Sequence, residues 1–483
     1  MLPSDAGAHL SDVHAQTQPG HGSAHVRGRE LGVGGDFEQA TIRRVSLRLL
    51  PFLFVLFVLN QLDRTNVAFA ALQMNRDLRF SATAYSLGSS IFYIGYALFE
   101  VPSNLILARV GARRWMARIM ITWGLIASAM MFVRTPTHFY VLRFLLGAAE
   151  AGFFPGIVYY LNHWFPAAHR GRALSRFIVA VPIAAVIGSP LSAGLLGLDG
   201  WHGLAGWQWV FLLEGIPSVI VGIAVLAILT DSPARARWLT ADQREWLVTR
   251  LERDADQSST LHGLSALRAM VLPAVWLLSI VYFGAMTANW SYVYWAPLVI
   301  RDALHTSNMM TGLIAGGIAC VAALVMLLVG ASSDRTGERF LHAAGCLSLE
   351  AIGFACAALL TNPVGRVAGL ALVMVGVQSF PAPFWCVPSA LLRGTAAAAG
   401  IALVNSLGNM GGAVGPTLLG VLQDATGSMR PGMLVIALAA AGGAVLCVAL
   451  RWHSAFADLA RRGVRGTTLG GDASADVSLS RVT

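Results

Sequence analysis

The sequence predicts an all-α membrane protein of twelve transmembrane helices in two pseudo-symmetric six-helix halves. Three observations predict it. The 483 residues are 56% hydrophobic and only 12% charged. A soluble domain is roughly 45–50% apolar and about 25% charged, so this chain has too few charges for a water-facing surface. Apolar runs of about twenty residues, each long enough to cross hydrocarbon as a helix, recur along nearly the whole chain. Finally, three short patterns repeat at a common offset of 226 residues. Arg109-x-Gly111-x-Arg113 returns as Arg335-x-Gly337-x-Arg339, Phe154-Pro155 as Phe380-Pro381, and Pro190 with Gly194 as Pro416 with Gly420. A shared offset points to duplication of a six-helix unit whose halves rock around a central site.

The elements follow in order. Residues 1–45 are polar, Gly-rich and carry His9, His14, His21 and His25, which predicts a disordered tail. The first apolar run is too long for the core of a cleaved signal peptide. The first half, 46–229, holds spans near 47–70, 85–107, 115–133, 137–163, 172–196 and 207–229. Most are hydrophobic all round and rich in Gly and Ala, as close helix packing in lipid requires. Asp231-Ser232-Pro233 then stops the chain, opening a charged linker over 230–271. Within it, Thr240-Ala241-Asp242-Gln243 has capping-box spacing ahead of an amphipathic Trp246, Leu247, Leu251 pattern, predicting a short surface helix. The second half, 272–452, holds spans near 272–299, 309–331, 341–360, 367–390, 396–422 and 432–451, and a tail fills 453–483.

Arginine placement sets the orientation. All 34 basic residues are arginine, and 26 fall in the tails and the connections on the linker side. Six, Arg76, Arg79, Arg134, Arg301, Arg366 and Arg430, fall on the other side. The positive-inside rule then places both termini in the cytoplasm. The net charge of +9 is spread between apolar runs rather than gathered on one face, so nucleic acid is not an expected partner.

The five cysteines lie inside apolar runs without Cys-x-x-Cys spacing and read as small hydrophobes. Gly408-x-x-Gly411-Gly412-x-x-Gly415 lacks the strand and the Lys-Ser/Thr of a phosphate loop, so it reads as close helix packing. Neither a Gly-x-Ser-x-Gly nor a His-Glu-x-x-His occurs. The expectation is no enzyme, no metal and no cofactor beyond a coupling proton.

Ionisable groups inside a membrane are costly and therefore functional candidates. The sequence reading finds Asp63 and Arg64 in the first span, Arg143 and Glu150 on one face of the fourth, and Glu350 in the ninth. The first four balance to zero charge. An incoming carboxylate would compete with Asp63 or Glu150 for an arginine, and the displaced acid would take up a proton. Arg64 would grip the carboxylate, since its planar fork suits bidentate contact. Arg143 would hold Glu150 charged in the empty state. The half-buried aromatics Tyr93, Tyr96, Trp290, Tyr292, Tyr294, Trp295 and Trp385 could wall a pocket, with Asn405 and Asn409 on one face of the eleventh span.

From about residue 45 to 455 the chain resembles the major facilitator superfamily, and within it the bacterial phthalate, tartrate and hydroxyphenylacetate permeases of the anion:cation symporters. The superfamily loop motif is Gly330-x-x-x-Asp334-Arg335-x-Gly337-x-Arg339, and the resemblance implies that Asp334, Arg335 and Arg339 form a cytoplasmic gate latch. In the first-half copy, Asn104 and Ala108 stand where Gly and Asp are usual. Asp63-Arg64-x-Asn66-Val67 and Arg143-x-x-x-Gly147-x-x-Glu150-Ala151-Gly152-Phe153-Phe154-Pro155 are similar to branch motifs, as are Glu100-Val101-Pro102-Ser103-Asn104 and Asn405-Ser406-x-Gly408-Asn409. They imply that Arg64 contacts a substrate carboxylate, that Asp63 and Glu150 serve proton coupling, and that Tyr96, Trp385 and Asn405 line the site. Trp290 stands where a tyrosine is expected, and Glu350 falls outside the pattern. The implied activity is proton-coupled symport of a small organic acid (a hydroxy acid, a tartrate-like diacid or an aromatic acid) by a monomer in the bacterial inner membrane. A proton-driven drug exporter and a non-transporting sensor are the alternatives.

Overall fold

The computed structural model describes residues 23–259, 270–391 and 394–453; within 23–34, 255–259 and 394–398 only the backbone path is described. The expectations for 1–22, with His9, His14 and His21, for 260–269 and for the tail from 454 lie outside the described residues.

The described residues up to 48 separate as a unit of their own from the described residues from 49 on. Helix α1 is Ser23–Asp77, so residues 23–45 are helical where the sequence reading places a disordered tail. No proline or glycine interrupts 36–50, and Thr41 Oγ1 donates back to the Phe37 carbonyl at 2.8 Å, as a helix allows.

The first half continues with α2 (Ala82–Val110) and α3 (Ala112–Ala129). Span four is α4 (Pro136–Glu150) with α5 (Phe153–Asn162), span five is α6 (Ala167–Ile178) with α7 (Ala180–Leu195), and span six is α8 (Gly206–Ile228). The linker helix is α9 (Ala241–Ser259). The capping box forms: Gln243 N–H donates to Thr240 Oγ1 at 3.2 Å and Thr240 N–H to Gln243 Oε1 at 3.4 Å. Asp254 of α9 accepts from the Ala167 N–H at 2.7 Å and so caps α6, while Trp238 stacks on Trp164 at 5.4 Å, seating the linker on the first half.

The second half is α10 (Pro273–Leu304), α11 (Asn308–Thr336), α12 (Phe340–Leu359), α13 (Pro363–Ser379) with α14 (Pro381–Leu391), α15 (Gly394–Asn409) with α16 (Gly411–Thr426), and α17 (Arg430–Leu450). Ten of the twelve spans are long and apolar enough to cross a membrane by composition alone. The other two are α10, diluted by Thr287, Asn289, Ser291 and its Trp and Tyr residues, and α15–α16, interrupted at Met410.

The internal repeat is physical. Span four breaks after Glu150 and span ten at Phe380, and the two loop glycines at the shared offset, Gly111 and Gly337, both take positive φ (97° and 65°). Gly152 turns the chain at φ 84°, where a Cβ would run into Ser103. The break frees the Ala151 carbonyl, and Ser103 Oγ donates to it at 2.6 Å. Thus Glu100-Val101-Pro102-Ser103-Asn104 supports the fourth span.

The halves are joined across α2–α16, α7–α11 and α2–α10. Tyr85 Oη donates to the Tyr294 carbonyl at 2.8 Å, and Arg301 donates to the Leu72 carbonyl. Asp424 accepts from the Ala82 and Thr83 N–H groups at 3.1 and 2.8 Å, capping α2 from the other half. Gly312 and Gly316 of α11 lie against Ser189, Pro190 and Val186 of α7. These contacts run from mid-bundle to the end opposite the linker. The linker-end segments α5 and α14 instead have their main neighbours within their own halves.

Candidate functional site

The polar centre of the first half is built on one stretch of α1. Asn60 and Arg64 are four residues apart and share a face, with Asp63 beside them and Asn66 a turn beyond Asp63. Arg64 Nε forms an ion pair with Glu150 Oε1, and Asn60 Nδ2 donates to the same oxygen at 2.6 Å. Glu150 is fully buried and Arg64 keeps 15% side-chain exposure, so Arg64 is the member of the pair that retains any exposure. That guanidinium lies over the rings of Tyr96 and Phe92, at 5.1 and 5.6 Å from their centroids.

Arg143 does not hold Glu150, which corrects the sequence expectation. Seven residues put about 10 Å of helix rise between them, and Arg64 reaches Glu150 from the neighbouring helix. Arg143 instead donates to the Gly88 carbonyl at 3.3 Å, the Ser89 carbonyl at 3.2 Å and Tyr294 Oη at 3.0 Å. Its guanidinium also covers the Phe92 ring at 4.7 Å. It is a buried cation tying α4 to α2 and, across the halves, to α10.

The aromatic residues expected as half-buried walls are mostly buried. Tyr294 is fully buried, its hydroxyl engaged by Arg143 and by Tyr93 Oη at 3.2 Å. Trp290 packs on Tyr93 at 4.8 Å, and both close on Gly412, where a Cβ would meet the two rings. Tyr292 and Trp295 are buried as well. In the second half, Trp385 stays half-buried against Tyr282 at 4.9 Å. Asn405 and Asn409 are half-buried on one face, with Asn409 Nδ2 donating to Asn405 Oδ1 at 3.2 Å. The glycine run from Gly408 serves close approach: Gly408 meets Tyr282, and Gly411 and Gly415 meet α10 at Thr287 and Ser291. Arg64, Tyr96, Tyr93 and Trp290 therefore form one connected surface leading from α1 to the α10–α16 contact.

Sequence reasoning missed Glu214. It lies in α8, buried, accepting from Ser192 Oγ of α7 at 2.6 Å. The signal was present, since the rule that singled out Asp63 and Glu350 applies equally to an acid within span six. Glu350 is fully buried against Gly376 of α13, and neither of its carboxylate oxygens has a hydrogen-bond partner. It stands in the second half, away from the α1 cluster.

At the linker end, Arg339 donates to Asp334 at 2.7 Å and to Ser333 Oγ at 2.9 Å, while Arg335 is exposed. The expected latch residues therefore pair within their own α11–α12 loop in this conformation. No group of three or more His, Cys, Asp or Glu side chains suited to a metal occurs among the described residues.

The sequence profile of the Major Facilitator Superfamily matches residues 53–416. A "Putative tartrate transporter" of Agrobacterium vitis is 45% identical over 84% of this chain and 93% of its own. A "Quinolone resistance transporter" of Acinetobacter baumannii is 39% identical over 85% of this chain and 95% of its own. Among solved structures, a bacterial homologue of the human lysosomal transporter Spinster, inward-facing and unoccupied, superposes with a TM-score of 0.65 at 17% identity, covering 89% of this chain and 99% of that one.

Proposed function

This chain belongs to the major facilitator superfamily and is a multi-pass membrane transporter, and from that premise we propose that it carries out proton-coupled uptake of a small organic carboxylate by alternating access. One observation carries the reading: Arg64, which keeps 15% exposure, is neutralised by the fully buried Glu150. A substrate carboxylate at the guanidinium competes with Glu150 for its single positive charge. A carboxylate left without its cation in low dielectric is costly, and protonation relieves that cost. Anion entry then brings proton entry. Tyr96 and Trp290 on one side and Trp385, Asn405 and Asn409 on the other would contact the rest of the substrate.

With the linker on the cytoplasmic side, the joined end of the bundle is the outer one, and the protein stands inward-facing. The relative's name makes tartrate the first acid to test. The protein would act as a monomer in the inner membrane with both termini cytoplasmic.

The test is uptake of labelled L-tartrate and a panel of hydroxy and aromatic acids by purified protein in liposomes under an inward proton gradient. Accumulation that collapses with a protonophore and is lost in Arg64→Ala supports the reading; the absence of acid uptake overturns it.

The quinolone-named relative favours a second reading, proton-driven drug export. Gradient-driven movement of a quinolone in the same liposomes, with no acid uptake, would put that reading in place of the first.

A further inference from the structure

Glu350 is a fully buried acid in the middle of α12 that the transport reading does not use. Neither of its carboxylate oxygens has a hydrogen-bond partner. Its Cγ lies against Gly376 of α13, so close that a Cβ there would meet it at 2.8 Å and the Cys346 carbonyl at 2.5 Å. Gly353 and Gly369 bring the same two backbones into contact. Gly376 also stands at the repeat offset of 226 residues from Glu150. Glu150 ends α4 where span four breaks, and Gly376 lies in the last turn of α13, before span ten breaks at Phe380. Each half thus keeps one buried carboxyl at the turn before its broken span. The first half supplies it from that span itself, the second from the neighbouring helix.

The first-half acid has Arg64, and the second-half acid has no cation. Helix α12 packs mainly on α17 and α13, with α14 also touching it. Across α13, α14 and α17 the only charged side chains are Arg366 and Arg430, both in the first turns at the end opposite the linker. Arg366 precedes Gly376 by ten residues, about 15 Å of helix rise. Arg430 precedes Gly443 by thirteen, and Gly443 is the α17 residue that meets Leu347. On α12 itself, His342 is two turns away and engaged with the Glu338 carbonyl at 2.7 Å and Ser332 Oγ at 3.0 Å. The remaining titratable groups of these four helices are the thiols of Cys346, Cys356, Cys386 and Cys447, which offer no positive charge.

A carboxylate with neither a counterion nor a hydrogen-bond donor is not tolerated in low dielectric, whereas the neutral acid is. We propose that Glu350 is a second proton-binding site, set in the second half and distinct from the Arg64–Glu150 pair, which holds one proton in this conformation and releases it when the last turn of α13 moves off it. In release, the carboxyl O–H bond breaks, the proton passes to water and the carboxylate keeps the electron pair. The carboxylate must then be wetted, and Gly376 stands over it until α12 and α13 part. Counting this proton in the transport cycle rests on the proton-coupled reading above; the protonated carboxyl itself does not.

Infrared difference spectroscopy of the full-length protein in liposomes at neutral pH, wild type against Glu350→Gln, tests this directly. The wild type should show the C=O band of a protonated carboxyl that Glu350→Gln loses. The band should lie at the high-frequency end of the carboxyl range, since neither oxygen is hydrogen-bonded. Spectra that coincide in this region overturn the proposal. Should Glu350→Gln fail to fold, Glu350→Asp replaces it. Drawing the carboxyl back by one methylene should shift the band, and an unmoved band overturns the proposal equally. The tartrate gradient that balances an imposed proton gradient then reads protons moved per tartrate. Glu350→Gln should lower that ratio by one, and an unchanged ratio overturns the release step. Proton-driven tartrate uptake without a Glu350 band would remove this site and leave the symport reading standing. The band without uptake of any acid would do the reverse.

Discussion

Arg143 and Glu150 share α4 but serve different partners: Glu150 is paired with Arg64 of α1, while Arg143 reaches across the halves to the Tyr294 hydroxyl at 3.0 Å. On the proposed reading an incoming anion exchanges with the first relationship, of which Arg64 keeps some exposure. The second is buried and joins the two halves, and on the same reading it would bear on the conformational change rather than on substrate contact.

Removing Arg64 should therefore cost both stability and transport. Arg64→Ala strands Glu150 in the bundle, and breaking a buried pair from one side costs about 3–5 kcal/mol unless the acid protonates. Tartrate uptake is expected to fall at least about a hundredfold, the equivalent of about 2.7 kcal/mol. Uptake within a factor of two of wild type in liposomes would exclude Arg64 from the site.

Glu150→Gln keeps the shape and the hydrogen bond from Asn60 but removes the charge. Stimulation of uptake by an inward proton gradient should disappear, while tartrate still shifts the melting curve of the variant. Gradient-driven accumulation equal to wild type would assign the coupling to another group.

Tyr294→Phe deletes the hydroxyl that Arg143 and Tyr93 share, while the Tyr294 carbonyl still accepts from Tyr85. A lost hydrogen bond to a charged donor is worth about 1.5–3 kcal/mol, so the ratio of inward-facing to outward-facing protein should fall by roughly tenfold or more. Distances between spin labels at the end opposite the linker report it. An unchanged distance distribution would show that the α2–α16 and α7–α11 contacts hold that end alone.

Asp424 gives a pH test outside the spans. Burial works to raise its carboxyl, but the hydrogen bonds from Thr83, Ser81 and Ala82 outweigh that and hold it below the usual carboxylate range. A depressed value means that the cap on α2 is at full strength above about pH 4 and is lost as pH falls through the depressed value. The closure of that end should therefore be flat between pH 5 and 8 by the same spin-label distances, and Asp424→Asn should loosen it at every pH in that range. A transition near pH 6 that vanishes in Asp424→Asn would contradict this.

Much of the site was legible before any coordinates. Asp63, Arg64, Arg143, Glu150 and Glu350 stand out because charge inside an apolar run has few explanations, and Thr240 with Gln243 announces a helix start through local spacing alone. The pairing of those charges was not legible. Arg143 and Glu150 invite pairing in sequence because they share a helix face, whereas Glu150 finds Arg64 through contact of α1 with α4, a fact of packing. Glu214 shows the other limit. Its residue type was informative, but its partner Ser192 comes from α7 through packing, and nothing in span six reports that neighbour. The helix over 23–45 was not legible because the polar, Gly-bearing composition of 23–35 outweighs the breaker-free stretch that follows from 36.

By itself the sequence determined the number of spans, the two related halves, the charged linker and the set of groups that must be satisfied inside the bundle. Hydrophobic length and the cost of burying charge act residue by residue, so they can be read from a string. Only the tertiary structure decided which acid meets which base, which aromatic rings are consumed in packing, and at which end the halves join. Those depend on distances between helices far apart in sequence, set by where glycines such as Gly312 and Gly412 let backbones and rings approach.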